Sequence, residues 1–137
     1  MKLSNILVGS EKPKELSAFY EKVFNKKPEW ADEHYTGFDC GGFFFSIGPH
    51  DKVHGKNAGP ERLILGFEVE DLQKEFDRIK ALGAKVVAEP YDPMGGDKPG
   101  IATFEDIDGN YFQLMLPWDE ADMEQMKKDM DEKKKMN

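Results

Sequence analysis

The chain has 137 residues, enough for one domain with one buried core. Its 39% hydrophobic and 12% aromatic content excludes global disorder. The net charge of -8 argues against nucleic acid or an anionic membrane surface as a partner, because both would be repelled at long range.

No secretory apolar core opens the chain, and no stretch nears the roughly 18 apolar residues of a membrane span, so a cytoplasmic location is expected. Cys40 is the single cysteine, which rules out an intrachain disulfide or a thiolate metal cluster. It is expected as a small buried apolar residue.

A strand is predicted over 3–8, then a turn at Gly9 and Ser10 into a helix with Pro13 in its first turn, capped by Ser10 or a neighbour. Leu16, Phe19, Tyr20, Val23 and Phe24 recur at helical spacing and form one apolar stripe that must pack on a sheet. Short strands follow around 29–31, 35–40 and 43–47, separated by Gly and charged residues. The stretch 48–61, rich in Gly, Pro and Lys, reads as a linker.

The pattern then restarts. A strand is predicted over 63–69, and Asp71 is placed as the N-cap of a helix striped by Leu72, Phe76, Ile79 and Leu82 and stopped by Gly83. Strands follow over 85–91, 101–105 and 111–116, the last two joined as a hairpin through Asp108, Gly109 and Asn110. Setting Asn5 on Ile64 and Val23 on Leu82 gives an offset of about 59 residues, so a βαβββ unit is written twice. The expected organisation is one domain over 1–118, with modules at 1–47 and 62–118. A charged tail follows over 119–137, a marginal helix with Met123, Met126 and Met130 at helical spacing that either docks on a partner subunit or frays in solvent.

Asn5-Ile6-Leu7-Val8 followed by Ser17-Ala18-Phe19-Tyr20-Glu21-Lys22-Val23-Phe24 is similar to the opening strand and FYxxvLG-like helix of the vicinal oxygen chelate superfamily. This superfamily contains glyoxalase I, extradiol dioxygenases and the bleomycin and fosfomycin resistance proteins. Leu65-Gly66-Phe67-Glu68-Val69-Glu70-Asp71-Leu72 resembles its second signature, and Asp106-Ile107-Asp108-Gly109-Asn110-Tyr111-Phe112-Gln113-Leu114 is close to DPDGNxxEL. The resemblance spans nearly all of 3–116. It implies an α+β fold in which two βαβββ modules curl into a half-open mixed barrel around a cleft, with the helices outside. It also implies a homodimer, and a divalent metal held by His or Glu on the first and fourth strands of each module.

Aligned on those motifs, Asn5 and Ile64 stand at the two first-strand His positions and Gln113 at the final Glu. The fourth ligand falls among Phe44, Phe45, Ser46 and Ile47. A catalytic zinc needs about three ligands from His, Cys or carboxylate, and hard ions want anionic oxygen. The sequence therefore predicts a cleft with no metal and no other cofactor, a divalent metal in an atypical site being the alternative.

Strand alternation puts Leu63, Leu65, Phe67 and Val69 under the helices, with Ile64, Gly66 and Glu68 on the other face. By the same rule Ile6, Val8, Phe112, Leu114 and Leu116 go to the core. Leu3, Asn5, Leu7, Tyr111, Gln113 and Met115 face the cleft. The ligand-binding set is thus Asn5, Leu7, Ile64, Glu68, Tyr111, Gln113 and Met115, apolar and aromatic surface with two amides, suited to a small organic molecule. Glu68, the one acid placed there, is the candidate general base or counter-charge, against the plainer reading of an edge glutamate at a strand end.

His50 and His54 fall in a Gly- and Pro-rich loop and His34 in an acidic turn, so none is read as a ligand. The stretch 93–100 has no phosphate-cradling pattern and reads as a flap at the cleft mouth. Two functions compete: a metal-free protein that binds a small organic molecule, and a glyoxalase-like lyase, isomerase or dioxygenase with an atypical site.

Overall fold

The structure, a computed structural model, describes residues 1–136. The first unit runs β1 (Asn5–Gly9), α1 (Pro13–Phe24), β2 (Trp30–Ala31), β3 (Thr36–Asp39) and β4 (Phe44–Gly48). The second runs β5 (Leu65–Glu68), α2 (Leu72–Ala81), β6 (Lys85–Tyr91), β7 (Ile101–Glu105) and β8 (Tyr111–Met115). Each forms a four-stranded mixed sheet, ordered β1-β4-β3-β2 and β5-β8-β7-β6, in which the first and last strands pair in parallel. The expected α+β architecture of two βαβββ modules is present, as two mixed sheets that do not close into a barrel.

Register makes the repeat concrete. Ile6 pairs with Phe45 as Leu65 pairs with Phe112, and Val8 pairs with Ile47 as Phe67 pairs with Leu114. These residues point to one side, where α1 buries Leu16, Tyr20 and Val23 and α2 buries Leu72, Phe76 and Ile79. The two trios share one spacing, which sets one stripe per helix.

Leu82 corrects the sequence reading. It lies at the C-cap of α2 and is exposed, while Gly83 behind it takes φ 92°. The counterpart of Val23 is Ile79, one turn earlier than the strand offset implies, because α2 ends before its stripe reaches position 82. Leu63 is also corrected. It is 66% exposed, since a turn closed by the Arg62 N–H on the Gly59 carbonyl holds it outside β5.

Asp71 caps α2 as expected, its carboxylate accepting the Lys74 N–H at 3.1 Å. Ser10 does not cap α1. Its hydroxyl accepts the Lys12 N–H at 3.0 Å one turn too early, and donates to the Asp108 carboxylate instead.

The modules share a single core. Phe67 from β5 packs its ring 5.0 Å from Phe24 and 5.9 Å from Phe45, both of the first module. Arg78 of α2 donates to the carbonyls of Lys22 and Val23 at the end of α1, placing its cation at the negative end of that helix. The tail forms α3 (Glu120–Met136), which buries none of its residues. No helix among the described residues is long and apolar enough to cross a membrane.

Candidate functional site

Opposite the core, each sheet presents an open face. On the first, Leu7, Ser46, Gly37 and Trp30 form one row across four strands by register, with Asn5 and Phe44 paired in the row beside it. The Ser46 hydroxyl donates to Asn5 Oδ1 at 2.9 Å. On the second, Gly66, Gln113 and Thr103 form the equivalent row, and Gln113 Nε2 donates to the Thr103 hydroxyl at 3.2 Å. Because Phe45 and Phe112 hold equivalent register positions, Ser46 is the counterpart of Gln113, which fixes the fourth position the sequence left open. Each amide is oriented by a neighbouring hydroxyl, so Asn5 offers its Nδ2 as a donor and Gln113 its Oε1 as an acceptor.

Sequence reasoning missed the aromatic part of this face. A Cβ on Gly37 would lie 2.2 Å from the Trp30 indole nitrogen, and one on Gly48 would lie 2.1 Å from the Tyr35 ring. Both rings therefore lie directly against strand backbone that only glycine leaves bare. Trp30 is 42% exposed and Phe44 38% exposed, and with Tyr35 and Leu7 they put apolar surface on the face that carries Asn5 and Ser46. The signal was available, since glycines at 37 and 48 interrupt otherwise apolar strands and mark close approach.

The remaining expected residues are placed less tightly. Ile64 precedes β5 and is exposed, Tyr111 is half-buried, and Met115 lies beside Gly66. Glu68 is exposed at the end of β5, and its carboxylate makes no hydrogen bond or ion pair among the described residues. With Gly66 it lines a cavity of about 620 Å³ that also touches Cys40 and Arg78. Cys40 is only half-buried, packed against the core, and burial pushes its thiol up. The free edges β1 and β5 both line a second cavity, of about 380 Å³, with Leu7, Leu63 and the loop carrying His54. His34, His50 and His54 are exposed, consistent with loop and turn residues.

Behind the sheets lies a network the sequence showed only as a hairpin turn. Tyr20, fully buried, donates to Asp106 Oδ2 at 2.6 Å, while Asp106 Oδ1 accepts the backbone N–H groups of Asp108 and Asn110. Burial pushes the Asp106 carboxyl up against the pull of these donors, and burial with the nearby Asp106 charge drives the Tyr20 phenol well above its ordinary value. The pair ties α1 to the β7–β8 turn and faces the core.

The four positions where the resemblance expects metal ligands thus hold Asn5, Ser46, Ile64 and Gln113. Two neutral amides, a hydroxyl and a hydrocarbon offer neither the imidazole, thiolate nor carboxylate set that a divalent ion prefers. Among the described residues no three His, Cys, Asp or Glu side chains gather as a metal-holding group.

The profile of the Glyoxalase/Bleomycin resistance protein/Dioxygenase superfamily matches residues 2–114, and the chain belongs to that superfamily. No curated protein matches the sequence significantly. Among solved structures, a glyoxalase/bleomycin resistance protein/dioxygenase family enzyme from Burkholderia phytofirmans PsJN is similar at a TM-score of 0.65. Its identity is 20%, over 83% of this chain and 97% of that one. The fosfomycin resistance protein FosX from Listeria monocytogenes, in a complex with Mn(II) and sulfate, is similar at a TM-score of 0.63. Its identity is 19%, over 92% of this chain and 96% of that one. A structure described only as a conserved domain protein reaches 0.70 at 19% identity, over 86% of this chain and all of that one. Likeness at these identities concerns the fold.

Proposed function

We propose that this protein binds a flat organic molecule on the open face of its N-terminal sheet, and that it does so without a divalent metal. The supporting observation is the pair of rings, Trp30 and Tyr35, laid against Gly37 and Gly48 on the sheet face that also exposes Phe44. Rings held against a sheet lose little freedom when a planar partner stacks on them. Asn5, turned by Ser46, directs a donor over the same surface, which selects a ligand carrying a carbonyl or ring-nitrogen acceptor. Glyoxalase-type catalysis has less support. Lewis-acid activation needs an ion that this donor set does not hold well; of the acids on the open faces, Glu68 is exposed, Asp39 accepts the Gly42 N–H and Glu105 pairs with Lys85.

The test uses the full chain with Trp118→Phe, so that Trp30 is the sole tryptophan, titrated with acridone as a neutral planar probe bearing a carbonyl. Saturable quenching with a rise in melting temperature is expected, together with a loss of affinity of about tenfold or more in Trp30→Leu and in Gly37→Ala. Unchanged fluorescence across a panel of planar probes would overturn the binding surface. Retention of one Mn or Zn per chain after dialysis, abolished by Asn5→Ala or Gln113→Ala, would overturn the metal-free part.

A further inference from the structure

The second sheet has its own distinct feature. Ile101 sits on its open face, in register with Met115, yet is only 8% exposed. It is covered by the loop after β6 and by the segment leading into α3, which together enclose a slot of about 250 Å³. Met94, Pro93 and Pro99 come from the loop, Trp118 from the segment, and Ile101 with Met115 from the sheet.

The loop is a built wall. Asp92 Oδ1 accepts the Met94 N–H at 2.8 Å and its Oδ2 accepts the Lys98 N–H at 3.0 Å, holding the carboxyl below its usual range. Gly95 closes the turn at φ 79° on the Asp92 carbonyl. The Gly100 carbonyl accepts the Leu116 N–H, fixing the base of the loop to the end of β8.

The charges around the slot are already committed. Both Asp92 oxygens are occupied by backbone, Lys98 Nζ lies 3.4 Å from the Asp119 carboxylate, and Asp122 Oδ2 accepts the Asp119 N–H. Lys98, the one cation of the lining, is thus paired, and no free positive charge among the described residues of the slot meets an anionic guest. Gln125, on the α3 side, spends its Nε2 on Asp129 and keeps its Oε1 as an acceptor. The body of the slot is sulfur, indole and aliphatic carbon, soft surface suited to a ring edge. An apolar cavity of about 150 Å³ accepts benzene, so this one has room for a substituted ring.

We infer that the slot between the 92–100 loop, Trp118 and α3 is a second ligand site, taking one neutral monocyclic ring with a single hydroxyl or amine donor directed to Gln125. Met94 is 47% exposed and Trp118 40% exposed, so the guest would cover both and add contacts to α3, which buries nothing of its own. The site is separate from the aromatic face of the first sheet, and a different tryptophan reports on it.

The full chain labelled with nitrogen-15 shows two indole N–H signals, assigned by Trp30→Phe, and is titrated with p-cresol. The expected result is a saturable shift of the Trp118 signal while that of Trp30 stays in place. Met94→Ala, an exposed loop position whose loss spares the core, should weaken binding about fivefold or more. Toluene, which lacks the donor, should bind more weakly than p-cresol in the parent chain and equally in Gln125→Leu. A Trp118 signal that never saturates, or a dissociation constant unchanged by Met94→Ala, overturns the site. Movement of Trp30 alone overturns it too, and assigns the ring to the first sheet.

Discussion

Tyr20 does two jobs with one side chain. Its ring packs within 4.8 Å of Phe45 and 5.7 Å of Phe112, joining the modules, and its hydroxyl satisfies a buried carboxylate. Tyr20→Phe keeps the ring and removes the donor, so it should cost about 2 kcal/mol in urea unfolding, the scale of a hydrogen bond to a charged group. A loss below roughly 0.5 kcal/mol would show that the bond contributes nothing net. Asp106 adds a pH signature. Its folded carboxyl titrates above the ordinary 3.8 because burial outweighs its donors. Between the unfolded and folded values the native state binds the extra proton. Its contribution is therefore complete below the unfolded value and is lost as pH rises through the folded one. Asp106→Asn should remove that downward step from the stability profile, and an unchanged profile would show that Asp106 does not supply it. The sequence displayed this network only as an acidic glycine turn, because alternation tells which residues share a face and says nothing of what a turn residue reaches across the chain.

Individual elements were legible to the extent that periodicity governs them. Leu16, Tyr20 and Val23, or Phe112 and Leu114, declare their faces by spacing alone, and the open-face positions of Asn5 and Gln113 follow from the same rule. Leu63 and Leu82 were misplaced because a turn and a helix end, which depend on hydrogen bonds to distant backbone, cut their elements short. Trp30 was missed because a strand of two residues has no period to read. The β3–β4 hairpin offers a local test. Gly41 and Gly42 take φ 74° and 94°, as a two-residue turn matched to strand twist demands, and the Cys40 N–H bonds the Phe43 carbonyl across it. Gly41→Val should cost about 1–2 kcal/mol by thermal unfolding, since a branched residue resists this region. Gly37→Ala acts through packing instead. It should lift the indole from the sheet and shift Trp30 emission toward that of a solvated ring, with little change in helix content; unaltered emission would refute the stacked geometry.

At the scale of the whole molecule, the two modules form one cooperative body because neither closes its core alone. Phe67 meets Phe24 and Phe45 of the first module and Phe112 of its own, and Arg78 fastens α2 to the end of α1. Phe67→Ala should therefore remove roughly 3 kcal/mol and lower the unfolding of both halves together in a single transition. Separate transitions for the two halves would show that the modules are independent. The tail behaves oppositely. α3 buries no residue and its stripe of Met123, Met126 and Met130 stays exposed, so ending the chain after Trp118 removes almost no apolar burial. That truncation should change stability by no more than about 0.5 kcal/mol, leave acridone binding at the first sheet intact, and weaken p-cresol by removing Gln125 and one wall of the slot. A large stability loss would instead mean that α3 closes against a second copy of the chain in solution, and sedimentation of the two forms would register that directly as a change in mass.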